Sequence, residues 1–142
     1  MVVDDETVNC KLIEEYLKSY NIEVLVAGSG LQAIEQCRRN PDISVILMDI
    51  LMREMNGFQA AEIIQNLRKD IVIIFQTAYA NEFLKDELMK NLACGYIEKP
   101  IRKEVLLNEV GKYINITRKE MPVLVKSKRS FSLMNIFSLL FH

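Results

Sequence analysis

Short runs of apolar, often β-branched residues recur along the chain and predict β-strands. Three of these runs are continuous, at residues 24–27, 43–48 and 71–75. Because they do not alternate with polar residues, they are typical of strands that are buried on both faces, as in a parallel sheet. Residues 1–3 and 95–97 resemble two further, shorter strands.

Between these runs, apolar residues recur with the period of an α-helix. Five such stripes follow the five predicted strands, at residues 8–17, 31–38, 58–67, 83–92 and 105–114. Thr7 is placed to cap the first of them. Strand and helix therefore alternate five times, which predicts an α/β fold with a doubly wound parallel sheet and right-handed crossovers.

Composition and charge limit the class of protein. A chain of 142 residues fits one domain with a sizeable core. Its formal net charge of −1 gives no bulk attraction to nucleic acid. The three cysteines, Cys10, Cys37 and Cys94, are an odd number without CxxC spacing, which argues against a disulfide framework or a zinc site. No secretion signal and no run of eighteen apolar residues is present, so we expect a cytoplasmic protein.

Acidic residues come directly after two of the predicted strands. Asp4 and Asp5 follow the first strand, and Asp49 follows the third. Ligands of such sheets bind at the carboxyl ends of the strands, and these carboxylates converge there if the two strands are neighbours. Three carboxylates in one place repel one another, and a hard cation such as Mg²⁺ neutralises them. The pattern therefore predicts a magnesium site.

Two further strand ends carry polar groups that suit a phosphoryl group. Thr77 follows the fourth strand, and Lys99 follows the fifth. A hydroxyl and an ammonium beside a metal-bound carboxylate can bind phosphoryl oxygens. Asp49 is then a nucleophile that accepts the phosphoryl group as an acyl phosphate.

Four segments in this order resemble the receiver domains of two-component response regulators. They are VVDDE at 2–6, LMDILMREMNG at 47–57, TAYA at 77–80 and GYIEKP at 95–100. The likeness extends to about residue 116. It implies a flavodoxin-like (CheY-like) fold with five parallel strands in the order 2-1-3-4-5 and, in this chain, a truncated first strand.

The resemblance also implies a specific role for each acidic residue. Asp49 is the expected phosphoacceptor. Asp4, Asp5 and Asp49, with the main-chain carbonyl of Leu51, are the expected Mg²⁺ ligands, Asp5 directly and Asp4 through water.

Roles for the remaining site residues follow from the same resemblance. Thr77 and Lys99 would contact the phosphoryl oxygens. Thr77 and Tyr96 would form the switch, in which Tyr96 moves inward when Thr77 moves. A cis peptide bond is expected before Pro100.

The function that the resemblance implies is that of a phosphoacceptor in a two-component system or phosphorelay. A histidine kinase or a histidine phosphotransfer protein would supply the phosphoryl group, and the change in conformation would control binding to a downstream protein. The domain would act alone or as part of a hybrid sensor kinase. Its catalysis would be limited to self-phosphorylation from a phosphodonor and slow self-dephosphorylation, which is not conventional turnover.

Some features depart from the family pattern and keep alternatives open. Arg53 stands where the family usually has proline, Asn56 where it usually has aspartate, and Ile101 where phenylalanine is frequent. The first strand is short, so a scaffold that never carries phosphate is one alternative. An aspartyl-phosphate phosphatase is a weaker one, because residues 4–7 do not match the DxDx(T/V) motif of the haloacid dehalogenase-like class.

The sequence divides into a receiver domain at residues 1–118 and a tail at residues 119–142. The tail has no room for an effector domain, and residues 131–142 predict an apolar helix with one narrow polar stripe. Such a helix would be buried by self-association, by packing on the domain or at a membrane surface, and a disordered tail is a further alternative. Residues 123–125 are also able to add a strand to the shortened sheet.

Overall fold

The computed structural model describes residues 1–79, 81–82, 86 and 95–119. Its strands are β1 (Val2–Val3), β2 (Val26–Ala27), β3 (Val45–Asp49), β4 (Val72–Thr77) and β5 (Gly95–Glu98). The helices of the described part are α1 (Thr7–Leu17), α2 (Gly30–Arg39), α3 (Gly57–Leu67) and α4 (Lys103–Gly111). The strands form one parallel sheet in the order β2-β1-β3-β4-β5, which confirms the predicted fold class and strand order.

Two predicted features fall on residues that the structure does not describe. The helical stripe at 83–92 lies outside the described residues except for position 86, and the tail lies outside them from residue 120 onward. Among the described helices, none is long and apolar enough to cross a lipid bilayer.

The first strand is short, as predicted, and this shortness has a consequence for its neighbour. β1 has two residues, and each pairs on one side with β2 and on the other with β3. The strand predicted at 24–27 is therefore reduced to Val26–Ala27, because β1 offers only two positions for a parallel ladder. An apolar cavity of about 180 Å³ lies beside this part of the sheet, between Val24 and Val45.

The sheet is covered on both faces. Residues of α2 and α3 pack against Ile46, Met48, Ile73 and Phe75 on one face. Residues of α1 and α4 pack on the opposite face, against the side chains Val2, Leu47, Ile74 and Ile97. Successive strand residues point to opposite faces. The last residue of β3, Asp49, therefore continues the face of Leu47, which α1 and α4 cover.

The start of α1 corrects one expectation from the sequence. Glu6, and not Thr7, occupies the N-cap position, and its side chain makes no capping hydrogen bond. Instead, the main-chain N–H of Glu6 donates to Asp4 Oδ1 at 2.9 Å. The Asp4 carboxylate therefore stabilises the turn that leads into the helix.

The start of α3 is built against the end of β3. Asn56 and Gln59 form a reciprocal capping box, so the residue that departs from the family pattern caps the helix. Gly57 follows it, and a Cβ atom at this position would lie 2.2 Å from the main-chain oxygen of Asp49. A side chain at position 57 would therefore displace the backbone at the end of β3.

Candidate functional site

Three carboxylates meet at the carboxyl ends of β1 and β3. Asp4 and Asp5 directly follow β1, Asp49 ends β3, and the two strands are neighbours in the sheet. One oxygen from each of the three side chains lies within 4.8 Å of the other two. Asp4 and Asp49 are buried and Asp5 is half-buried. The structure thus brings together the three acidic residues that the sequence singled out.

Lys99 supplies a positive charge to this cluster. Its Nζ atom lies 3.0 Å from Asp4 Oδ2 and 3.2 Å from Asp49 Oδ1. The main chain of Lys99 is fixed by its N–H, which donates to the Thr77 oxygen at 2.7 Å, and the Lys99–Pro100 peptide bond is cis, as predicted. Lys99 and the exposed Arg53 guanidinium, whose Nε lies 4.0 Å from Asp5 Oδ2, therefore face three carboxylates, which leaves an excess of negative charge.

The environment of the cluster shifts two pKa values upward. Burial raises the pKa of Asp49, and the nearby charge of Asp4 raises it further, against the opposing effect of Lys99. Burial lowers the pKa of Lys99, but its hydrogen bond to Asp4 and the charge of Asp49 outweigh burial and raise it. Asp49 therefore lies where an additional cation would favour its ionised form.

Asp4 has hydrogen-bond partners in addition to Lys99. Its Oδ2 atom also accepts from Asn9 Nδ2 at 3.1 Å, and its main-chain oxygen accepts from Cys10 Sγ at 3.5 Å. Asn9 was not among the residues predicted for the site, although an amide in the first turn of the helix after an acid pair is a signal for such a contact. Burial, followed by the charge of Asp4, raises the pKa of the Cys10 thiol to about 11.

Asp5 is held by the loop after β3. The main-chain N–H of Arg53 donates to Asp5 Oδ2 at 3.2 Å. Proline has no N–H and would not make this bond. The departure from the family pattern at position 53 therefore adds a link between the acid pair and the β3–α3 loop.

Thr77 and Tyr96, the expected switch residues, lie on neighbouring strands. Thr77 is a buried residue, with 7% of its surface exposed. Its hydroxyl bonds within its own turn, because Oγ1 lies 3.1 Å from both the main-chain nitrogen and the main-chain oxygen of Tyr79. Tyr96 is half-buried on β5 and packs against the apolar cluster that contains Phe75. Thr77 thus lines the same cavity as Asp49, but its hydroxyl bonds to the main chain of Tyr79.

A cavity of about 420 Å³ connects these groups to solvent. Its lining combines the three residues expected to contact a phosphoryl group, Asp49, Thr77 and Lys99, with neighbours that include Gln76, which was not predicted for the site. The lining residues are Glu6, Asn9, Asp49, Ile50, Leu51, Gln76, Thr77, Ala78, Lys99 and Pro100. Leu51, the residue expected to offer a main-chain carbonyl to the metal, is thus also at the cavity.

The donor set at this cavity fits a magnesium ion. Carboxylate and main-chain oxygens are the ligands that hard divalent cations bind, and the cluster contains no histidine or cysteine among its three grouped side chains. The charge balance fits as well, because Lys99 neutralises only part of the cluster. Receiver domains generally bind Mg²⁺ through an acidic pocket of this kind.

Comparison with known sequences agrees with this geometry. The family described as response regulator receiver domain matches residues 1–111. The transcriptional regulatory protein ZraR of Klebsiella oxytoca is 31% identical over 124 residues, which are 87% of this chain and 28% of that protein. The signal transduction histidine-protein kinase BarA of Escherichia coli (strain K12) is 36% identical over 115 residues, 80% of this chain and 12% of that protein. The chain thus spans less than a third of the length of these relatives.

Solved structures share the fold. CheY4, a chemotaxis protein of Vibrio cholerae, is 24% identical with a TM-score of 0.74, and the alignment covers 80% of this chain and 95% of that chain. The CheX-CheY-BeF3-Mg+2 complex from Borrelia burgdorferi gives 27% identity and a TM-score of 0.71, covering 78% and 84%. The match over residues 1–111, with the sheet order and the acidic cluster, shows that this chain belongs to the response regulator receiver domain family of two-component signalling.

Proposed function

We propose that this chain is a phosphoacceptor whose Asp49 takes a phosphoryl group in a Mg²⁺-dependent reaction. The observation that carries the proposal is the cluster of Asp4, Asp5 and Asp49 with Lys99 at a solvent-connected cavity. A histidine kinase or a histidine phosphotransfer protein would be the donor, and it would carry the phosphoryl group on a phosphohistidine.

The charge of the cluster explains why a metal is needed. A phosphoryl donor is anionic, and the Lys99 ammonium with the exposed Arg53 guanidinium does not offset the charge of three carboxylates at close range. Asp4, Asp5, Asp49 and the main-chain carbonyl of Leu51 would hold Mg²⁺. When bound, the ion would supply positive charge for the phosphoryl oxygens and keep Asp49 ionised.

The side chains of the protein would carry the transfer itself. A carboxylate oxygen of Asp49 attacks phosphorus, the P–N bond of the phosphohistidine breaks, and its electron pair stays on the imidazole nitrogen of the donor. Lys99 already lies 3.2 Å from Asp49 Oδ1, so a small rotation brings its ammonium to a phosphoryl oxygen. The product is an acyl phosphate on Asp49.

The switch would follow from the hydroxyl of Thr77. To donate to a phosphoryl oxygen, Thr77 Oγ1 has to leave the main chain of Tyr79, which it contacts at 3.1 Å in this structure. The turn after β4 is then free to shift, and Tyr96 on β5 has room to move inward. Phosphorylation would thereby shift a conformational equilibrium and change the surface that a downstream protein binds.

Intact-mass spectrometry tests this function directly. The chain is incubated with acetyl phosphate with and without Mg²⁺, beside Asp49→Ala and a matched control, Asp42→Ala, at an exposed carboxylate outside the cluster. We expect one added phosphoryl group that requires Mg²⁺, persists in Asp42→Ala and is absent in Asp49→Ala. No adduct under any condition would favour the scaffold that never carries phosphate.

A further inference from the structure

Gln76 is a buried amide beside the phosphoacceptor. It lies on β4, one residue before Thr77, and its in-register neighbours are Asp49 on β3 and Ile97 on β5. The residue is 0% exposed, and it lines the cavity that Asp49 and Lys99 share. Among the described residues, neither the oxygen nor the nitrogen of its amide has a hydrogen-bond partner.

Packing alone does not explain an amide at this position. The preceding residues on the same face of β4 are Val72 and Ile74, which pack with the apolar residues of α1 and α4. Another apolar side chain at position 76 would extend that layer. A buried amide without partners opposes folding, because it gives up hydrogen bonds to water and gains none in return. Each buried polar group without a partner in a folded protein calls for an explanation, and one possible explanation is a role in a reaction.

The chemistry of the neighbours indicates what the amide does. A carboxylate only accepts hydrogen bonds, and an ammonium only donates them. Gln76 is flanked by Asp49, and Lys99 lies at the end of the next strand, two residues after Ile97. A primary amide can donate to the first group and accept from the second at the same time, which no apolar or singly charged side chain can do.

We infer that Gln76 is a positioning residue for phosphoryl transfer to Asp49, an inference that rests on the proposed function. When Lys99 turns to a phosphoryl oxygen, Asp49 Oδ1 loses the donor that now lies 3.2 Å away. The amide nitrogen of Gln76 takes over that hydrogen bond after a change of rotamer, since neighbouring strands are only about 5 Å apart. Its oxygen then accepts a hydrogen bond from the Lys99 ammonium and holds it in place.

The test uses Gln76→Met, which keeps the length of the side chain and removes the amide. The matched control is Ile74→Met, which alters packing on the same face of the same strand. Two quantities are measured: thermal unfolding without phosphodonor, and the initial rate of phosphorylation at increasing acetyl phosphate in Mg²⁺. We expect Gln76→Met to unfold at a higher temperature than the unchanged chain.

The same variant should react more slowly. We expect its maximal rate to fall about tenfold, the effect of one lost hydrogen bond to a charged group, with an unchanged half-saturating donor concentration. Ile74→Met should keep the rate of the unchanged chain. A gain in stability together with a loss of rate is not the signature of a residue that only packs.

Each other outcome overturns a defined statement. If Gln76→Met gains stability and keeps the normal rate, the inference is wrong while the proposed function stands. If the unchanged chain takes up no phosphoryl group, the proposed function is wrong and the inference falls with it. If Gln76→Met does not fold, the side-chain N–H signals of Gln76 in ¹H–¹⁵N spectra of the unchanged chain are followed instead, and signals that do not shift on phosphorylation refute the inference.

Discussion

Replacing Asp49 with asparagine removes one charge from the carboxylate cluster and keeps the shape of the side chain. The structure predicts that Asp49→Asn is more stable than the unchanged chain at neutral pH in metal-free buffer. The reason is that the repulsion from Asp4 and Asp5 and the cost of burial exceed the attraction of Lys99, which is also why the pKa of Asp49 is raised.

The distances give the size of the effect. At an effective dielectric constant of about 20, two unit charges no more than 4.8 Å apart repel by at least about 3.5 kcal/mol, and Asp49 has two such neighbours. The attraction of Lys99 Nζ at 3.2 Å is worth about 5 kcal/mol on the same scale. The neutral side chain should therefore raise the free energy of unfolding by at least about 2 kcal/mol, before the burial cost is added.

The effect should depend on pH in a defined direction. Because the pKa of Asp49 is raised in the folded state above its ordinary value of 3.8, the folded protein binds the proton more tightly than the unfolded chain. The unchanged protein then loses stability as pH rises from that value through the folded-state pKa. The advantage of Asp49→Asn should be complete above this window and vanish below it.

Urea unfolding in EDTA and in Mg²⁺ measures both statements. Mg²⁺ should stabilise the unchanged chain more than Asp49→Asn, because a ligand stabilises the state that binds it. Glu35→Gln serves as the control, since Glu35 forms exposed ion pairs on α2 and should change stability by no more than about 1 kcal/mol. A loss of stability for Asp49→Asn in EDTA would refute the reasoning, because Lys99 would then outweigh the repulsion.

Three further predictions concern the neighbours of the cluster and the tail. Lys99→Met should lower the free energy of unfolding in EDTA by roughly 3–5 kcal/mol, because it leaves buried carboxylates without their partner, and Mg²⁺ should recover part of the loss. Gly57→Ala should cost about 1–3 kcal/mol in urea unfolding, because its Cβ would lie 2.2 Å from the Asp49 oxygen. Gly28→Ala, whose Cβ would meet only the Gln32 side chain at 3.5 Å, is its control, and equal losses would contradict the steric reason. If residues 119–142 mediate self-association, removing them should reduce the number of chains per particle, obtained by size-exclusion chromatography with light scattering, and an unchanged number would count against that role.

The sequence predicted those parts of the fold that depend on local patterns. Continuous apolar runs gave the strands, and the acids and the lysine directly after them were expected at one edge of the sheet. The structure brings Asp4, Asp49 and Lys99 together there, although Asp4 and Lys99 are 95 residues apart in the chain. This worked because the carboxyl ends of parallel strands always share an edge, whatever the lengths of the connections.

Features that depend on exact register and side-chain contacts were not predictable in this way. The strand expected at 24–27 is shorter, because pairing is limited by the length of β1 rather than by apolar character. Thr7 was expected to cap α1, but Glu6 occupies the N-cap position, and its main-chain N–H donates to the Asp4 side chain. Gln76 is a single polar residue at the end of an apolar run. Its importance becomes visible only from the strand register, which places it beside Asp49.

The short central strand couples the acid pair to local unfolding. Asp4 and Asp5 directly follow β1, yet only Val2 and Val3 of this strand pair with its neighbours on each side. Detachment of β1 would release both acids at once, so an opening of the sheet is also a loss of the cation site. In native-state hydrogen exchange, the amides of Val2 and Asp4 donate to the main-chain oxygens of Leu25 and Ala27, and their exchange should be slowed by added Mg²⁺ by the factor 1 + [Mg²⁺]/Kd. The measured affinity for the cation then includes the free energy of closing the strand.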